Sequence, residues 1–136
     1  MIRVVHASPV ALLLGALLVL TGCQQEQADG FLVSGTVTYQ GKPVPRGTLL
    51  LTPDSSKGNS GPAVVADIVD GKFETPPTAK TRHQGGVYRV FIDGFDGHAQ
   101  PEAELPLGRA LFMGYETEVT LPKEDASDIT FEVKKR

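Results

Sequence analysis

The chain has no tryptophan, two methionines and one cysteine among its 136 residues, and aromatic residues make up only 7% of it. A lone cysteine cannot close an internal disulfide, so Cys23 is left as a free thiol, an intermolecular bridge or a site of modification. No cluster of Lys and Arg is longer than Lys134-Lys135-Arg136, and thirteen basic against sixteen acidic residues give a formal charge of −3. Counterion release needs a concentrated basic face, so nucleic acid is not expected as a partner, and the short basic tail reads as a solvated terminus. Also missing is an apolar run of membrane-spanning length. The stretch Val10 to Leu20 has eleven residues, whereas a spanning helix takes about 20.

What stands at the amino end instead has the form of an export signal. Arg3 and the free amine precede the apolar run, and Leu20-Thr21-Gly22-Cys23 follows it directly. This tetrapeptide resembles the bacterial lipobox, in which an aliphatic residue and two small residues let the backbone enter a peptidase groove and the thiol is alkylated. The resemblance implies cleavage between Gly22 and Cys23, a diacylglycerol thioether on Cys23 and usually a third acyl chain on the new amino terminus. Each buried methylene contributes about 0.8 kcal/mol, so two or three chains hold a protein on a membrane where one binds only reversibly. Gln24 stands where an aspartate would favour retention in the inner membrane, so the expectation leans toward the outer one. The expected organisation is a signal peptide over residues 1–22, a flexible polar tether over 23–30 and one domain over 31–136. That domain is expected in the periplasm or at the cell surface of the envelope.

Gly (15) and Pro (10) are plentiful, and the apolar stretches between them are short. Alternation predicts strands: Phe31, Val33, Val37 and Tyr39 face one way with Ser34, Thr36 and Thr38 opposite. Thr48 to Thr52, Ala63 to Val69, Lys72 to Thr75, Val87 to Asp93, Tyr115 to Leu121 and Ile129 to Val133 continue the series. Asp70-Gly71 predicts a tight hairpin, because a type I′ turn needs positive φ twice, and Gly41-Lys42-Pro43 marks another reversal. Gly94 to Ala110, with two Pro and three Gly, has no place for a long element. About seven strands without an intervening amphipathic helix predict an all-β, antiparallel, two-sheet sandwich.

Three segments carry a family resemblance: Val33-Ser-Gly-Thr-Val-Thr-Tyr-Gln-Gly-Lys-Pro-Val-Pro-Arg-Gly-Thr48, Asp70-Gly-Lys-Phe73 and Gly85-Gly-Val-Tyr-Arg-Val-Phe-Ile92. Together they resemble the carboxypeptidase regulatory-like, or transthyretin-like, β-sandwich of bacterial lipoproteins, over most of residues 33 to 133. The resemblance implies an accessory or adhesive module without catalysis. Gly35 is expected on the inward side of its strand, where a side chain would crowd the facing sheet, and Tyr88 as an aromatic core anchor.

Catalytic chemistry finds little support. No Gly-x-Ser-x-Gly elbow occurs, and no His or Cys pair has zinc spacing, so neither a metal nor another cofactor is expected. His83 and His98 fall alone in predicted loops and are expected to be solvated. Tyr88, Tyr115, His83 and His98 match the ligand count of intradiol dioxygenase-like proteins but lack a close His-x-His pair. Asp93-Gly-Phe-Asp96-Gly-His98 is a polar cluster whose spacing is wrong for an EF-hand and whose Asp-Gly pairs suit turns. Phe91, Phe95 and Phe112 fall outside the inward alternation and are candidates for a sugar-stacking platform.

The function expected is therefore that of a non-catalytic, membrane-anchored envelope lipoprotein acting as a structural or interaction module. Its partners would be membrane lipid, through acylated Cys23, and an envelope protein or glycan, with the oligomeric state left open. The alternative is a carbohydrate- or peptidoglycan-binding module using Asp93, Phe95, Asp96, His98 and Phe112, and a metal-dependent enzyme ranks third.

Overall fold

Among the described residues there are eight strands, most of them with period-two alternation: β1 (Val33–Tyr39), β2 (Lys42–Pro43), β3 (Arg46–Pro53), β4 (Val64–Val69), β5 (Lys72–Glu74), β6 (Gly86–Phe95), β7 (Ala110–Leu121) and β8 (Ala126–Val133). The computed structural model describes residues 29–135. The expected signal peptide, the Gly22/Cys23 cleavage and lipidation position and residues 24–28 lie outside the described residues.

The fold is all-β. One hydrogen-bonded sheet runs β1-β5-β4-β3-β6-β7, with β2 sharing β1 beside β5 and β8 on the other edge of β1. The β4/β5 hairpin pairs only near its turn, at Ile68 with Phe73 and Val69 with Lys72. Beyond it the sheet curls over, so that β8-β1-β5 forms one layer and β4-β3-β6-β7 the other. Their inner faces enclose a single core of Val33, Val37, Leu49, Leu51, Tyr88, Val90, Ile92, Phe131 and Val133 with their neighbours. The expected antiparallel pairing holds for every ladder but one: β8 runs parallel to β1, because the chain crosses from β7 in one layer to the far edge of the other.

Both predicted reversals form. Gln40 and Gly41 have φ of 51° and 76°, and Asp70 and Gly71 have φ of 50° and 74°, the paired positive values that a type I′ turn requires. The second turn is bolted to the first hairpin, since Gly71 N–H donates to Val44 O at 2.7 Å and Val37 N–H donates to Gly71 O at 2.8 Å.

Gly35 is needed for a reason other than the expected one. The β1/β8 ladder carries a bulge between Val33/Ala126 and Gly35/Ile129, with Asp128 at φ 62°. The bulge pushes the Ile129 carbonyl to 1.8 Å from where a Cβ on Gly35 would stand. The crowding comes from the neighbouring strand's backbone, not from the facing sheet.

His83 is a second correction. It is fully buried (0% exposed), where a solvated loop residue was expected. Its Nε2 lies 3.2 Å from Leu32 O and its Nδ1 accepts the Gly85 N–H at 3.2 Å, a pair of contacts that suits neutral imidazole with the proton on Nε2. Phe31 and Tyr88 pack against the ring, and burial pushes its pKa down. Loop histidines carry no local mark of burial; the bridge that seals this one joins Phe31 to His83, two segments far apart in the sequence.

Candidate functional site: an open seam between the end strands

Curling brings the two end strands of the sheet, β7 and β8, toward each other without joining them. Among the described residues β7 pairs only with β6 and β8 only with β1. The Tyr115 hydroxyl donates to Glu132 O at 3.3 Å across the gap, so a side chain separates the strands where a ladder would hold them about 4.8 Å apart. Core coverage fails along the same line. The inward side chains of β3, β4 and β6 are sealed, whereas the half-buried apolar residues packed on the core are Tyr39, Phe112, Tyr115, Val119 and Ile129. These lie on β7, on β8 and on β1 beside it.

At one end the seam widens into a cleft of about 280 Å³ lined by Tyr39, Phe112, Met113, Gly114, Tyr115, Val133, Lys134 and Lys135. Its floor is aromatic: the Phe112 ring lies 4.9 Å from Tyr39 and 6.5 Å from Tyr115, centre to centre. Met113 on the rim is 65% exposed, and Leu111 beside it is also exposed. Among the described residues no carboxylate lines the cleft. The two carboxylates of β7 nearest to it are turned to the outer face, where Glu116 binds Arg89 (Nε at 3.0 Å) and Glu118 binds Lys57 at 2.5 Å. The cleft is thus apolar at its base and cationic at its mouth.

Local geometry builds this arrangement. The β6/β7 register shifts on both sides of Gly94, and Gly114 takes φ 65° with open space where a Cβ would stand. Asp93 fixes the irregularity by accepting the Gly114 N–H at 2.7 Å. The shift turns Phe112 inward over Gly94, whose missing Cβ would sit 2.4 Å from the ring, and leaves Met113 outside. Phe112 therefore does not stand outside the inward alternation, as the sequence suggested.

Residues singled out in the sequence divide accordingly. Phe112 belongs to the cleft and Asp93 supports it. Asp96 and His98 come together in the adjoining loop: Asp96 Oδ1 accepts the N–H groups of His98 (2.9 Å) and Arg109 (3.0 Å), with the His98 Nδ1 at 3.6 Å. Donation from His98 N–H, then from Arg109 N–H, holds the Asp96 carboxyl below its ordinary value. Phe95 pairs with Arg46 and Ala110 and is not among the rings stacked on Phe112. Phe91 lies on the outer face with the Arg89 guanidinium 5.3 Å from its ring centre, so the three phenylalanines form no common platform. Tyr39, Tyr115, Met113 and Lys135 belong to the cleft, although the sequence does not mark them as binding residues. Gly114 between Met113 and Tyr115 was the available signal, since glycine inside a strand pattern marks a bulge.

A larger groove of about 940 Å³ opens where β4 and β5 part. Lys72 and Lys80 there face Asp67, Glu74 and Asp128, and Ala66, Ile68 and Phe73 seal the core behind it. It mixes these charged groups, two lysines against three carboxylates, with apolar side chains that include the exposed Val65 and Val69, and it leaves no core residue uncovered. Among the described residues no group of three or more His, Cys, Asp or Glu side chains is placed to hold a metal ion.

Fold and seam together define an all-β domain whose core is left open along one line. No protein-family model matches the chain, and no curated protein matches it.

Proposed function

We propose that this chain is a non-catalytic lipoprotein of the cell envelope, held on a membrane by acyl chains on Cys23 and acting as an interaction module through the domain that follows. The observation that carries this reading is Leu20-Thr21-Gly22-Cys23 placed directly after an eleven-residue apolar run. The resemblance of residues 33–133 to the carboxypeptidase regulatory-like sandwich supports an accessory role over a catalytic one.

The position of the seam supports the same reading. The chain enters the domain at Asp29 to Leu32, tied down by Gln84 Nε2 donating to Asp29 O and by Leu32 N–H donating to Asp125. β1 then runs seven residues to Tyr39, about 20 Å at 3.3 Å per residue. Because β8 is parallel to β1, Val133 lies beside Tyr39, and the cleft opens at the end remote from the tether. A domain anchored through Cys23 would present it away from the lipid, with the outer membrane as the expected location. Labelling cells with an alkyne analogue of palmitate tests the anchor. Label on the wild type that is lost in Cys23→Ala is the expected result; no label, or label kept in the variant, overturns it.

A second reading, a carbohydrate- or peptidoglycan-binding module, is favoured by the aromatic floor of Tyr39, Phe112 and Tyr115, since sugar faces stack on such rings. Asp93, Phe95, Asp96 and His98 lie at the same end. A glycan array decides it: binding by the wild type that Phe112→Ala abolishes would support the glycan reading.

A further inference from the structure

We infer that the seam is a strand-accepting slot, and that its partner is an extended protein segment with apolar residues at every second position and carboxylates at the end nearest Tyr39. This deepens the interaction-module reading and rests on it.

Three observations converge on the slot. First, β7 offers twelve residues whose edge away from β6 has no ladder among the described residues. A long unpaired edge is a template for another strand, and proteins normally blunt such an edge or cover it. Second, the side chains that the core fails to cover, Phe112, Tyr115 and Val119 on β7 with Tyr39 and Ile129 opposite, border this edge. A strand laid along β7 would project every second side chain onto them and complete the core. Third, the mouth of the slot carries Lys134 and Lys135, and among the described residues no carboxylate lines it and neither ammonium is in an ion pair.

Each observation fixes one feature of the partner. The free edge calls for main-chain N–H and C=O groups in extended form, the mode in which backbone hydrogen bonds supply affinity and alternate side chains supply specificity. The uncovered rings and Met113 call for apolar side chains at period two. The lysines call for carboxylates at the end of the segment nearest Tyr39. A glycan satisfies the rings and the charge but leaves the edge unpaired. A second copy, pairing β7 with β7, would leave the lysines without a counter-charge.

The test is to pan a phage-displayed random dodecapeptide library against the full chain in detergent, then to measure binding of the selected peptides as free molecules. The expected sequences carry apolar residues at every second position with Asp or Glu toward one end, and protect β7 amides from hydrogen exchange. Affinity should fall at least tenfold for Lys134→Glu/Lys135→Glu and again for Met113→Asp, with both variants keeping the wild-type circular dichroism spectrum. N-methylation of alternate peptide amides should also abolish binding. Failure to enrich acidic and apolar sequences, protection confined to other strands, indifference to all these changes, or a β7-paired homodimer in sedimentation overturns the proposal. Because palmitate labelling reads the anchor independently, loss of the slot leaves the lipoprotein assignment standing, and the reverse holds as well.

Discussion

The Tyr115 hydroxyl reaches Glu132 O at 3.3 Å and so ties the last two strands of the sheet across a gap that no ladder closes among the described residues. That single polar contact marks where the fold stops short of a closed barrel.

Removing the tie tests how loosely the seam is held. A hydrogen bond contributes about 0.5–1.5 kcal/mol net, and this one is exposed, so Tyr115→Phe should cost about 0.5 kcal/mol in urea unfolding. Amide exchange should quicken in β7 and β8 while β3 and β6 stay protected. Uniform acceleration through all strands would show that the seam is not a separate weak line.

Two glycines make opposite demands. Gly35→Ala drives a Cβ toward the Ile129 carbonyl at 1.8 Å, and overpacking of this kind costs about 1–3 kcal/mol. A loss at the upper end of that range is expected. Gly114→Asn meets open space, and asparagine tolerates positive φ, so its cost should stay below about 1 kcal/mol. Chemical denaturation of the two variants gives the comparison directly, and equal losses would contradict the bulge at β1/β8.

Burial holds the folded His83 below its ordinary pKa of about 6.5. Between the folded value and 6.5 the unfolded chain binds the proton and the folded chain does not, so stability rises with pH there. The contribution is full above about pH 6.5 and is lost as pH falls through the folded value. Melting temperature should therefore drop between pH 7 and pH 5, and the slope should flatten in His83→Asn. Asp54, held low chiefly by the Ser56 hydroxyl, and Asp96 act in a separate window, since their contributions are present above about pH 4 and are lost only below it.

Asp96 organises the loop beside the cleft by accepting two main-chain N–H groups. Asp96→Asn retains an acceptor and should keep the loop; Asp96→Ala should lower the melting temperature and raise exchange at the His98 and Arg109 amides. Equal behaviour of the two variants would remove Asp96 from that role.

Strand positions and turns were legible because they depend on near neighbours. The alternation of Tyr88, Val90 and Ile92 and the chemistry of Asp70-Gly71 act within a few residues. What escaped the sequence depends on distant partners: the parallel placement of β8, the Ile129 carbonyl that forbids a side chain on Gly35, and the sealing of His83 by Phe31. The candidate site was legible in part. Phe112 and Asp93 drew notice as an aromatic and a carboxylate in a polar stretch, but one serves as cleft floor and the other as a cap on Gly114. Tyr39 and Tyr115 sit in plain period-two alternation, and nothing local reveals that curling leaves their rings half covered.

Mass spectrometry of the amino-terminal peptide from the membrane-extracted protein tests the lipoprotein assignment most directly. The expected species begins at Cys23 and carries the added mass of a diacylglycerol thioether. A chain recovered wholly in the aqueous fraction with an unmodified Cys23 would contradict it.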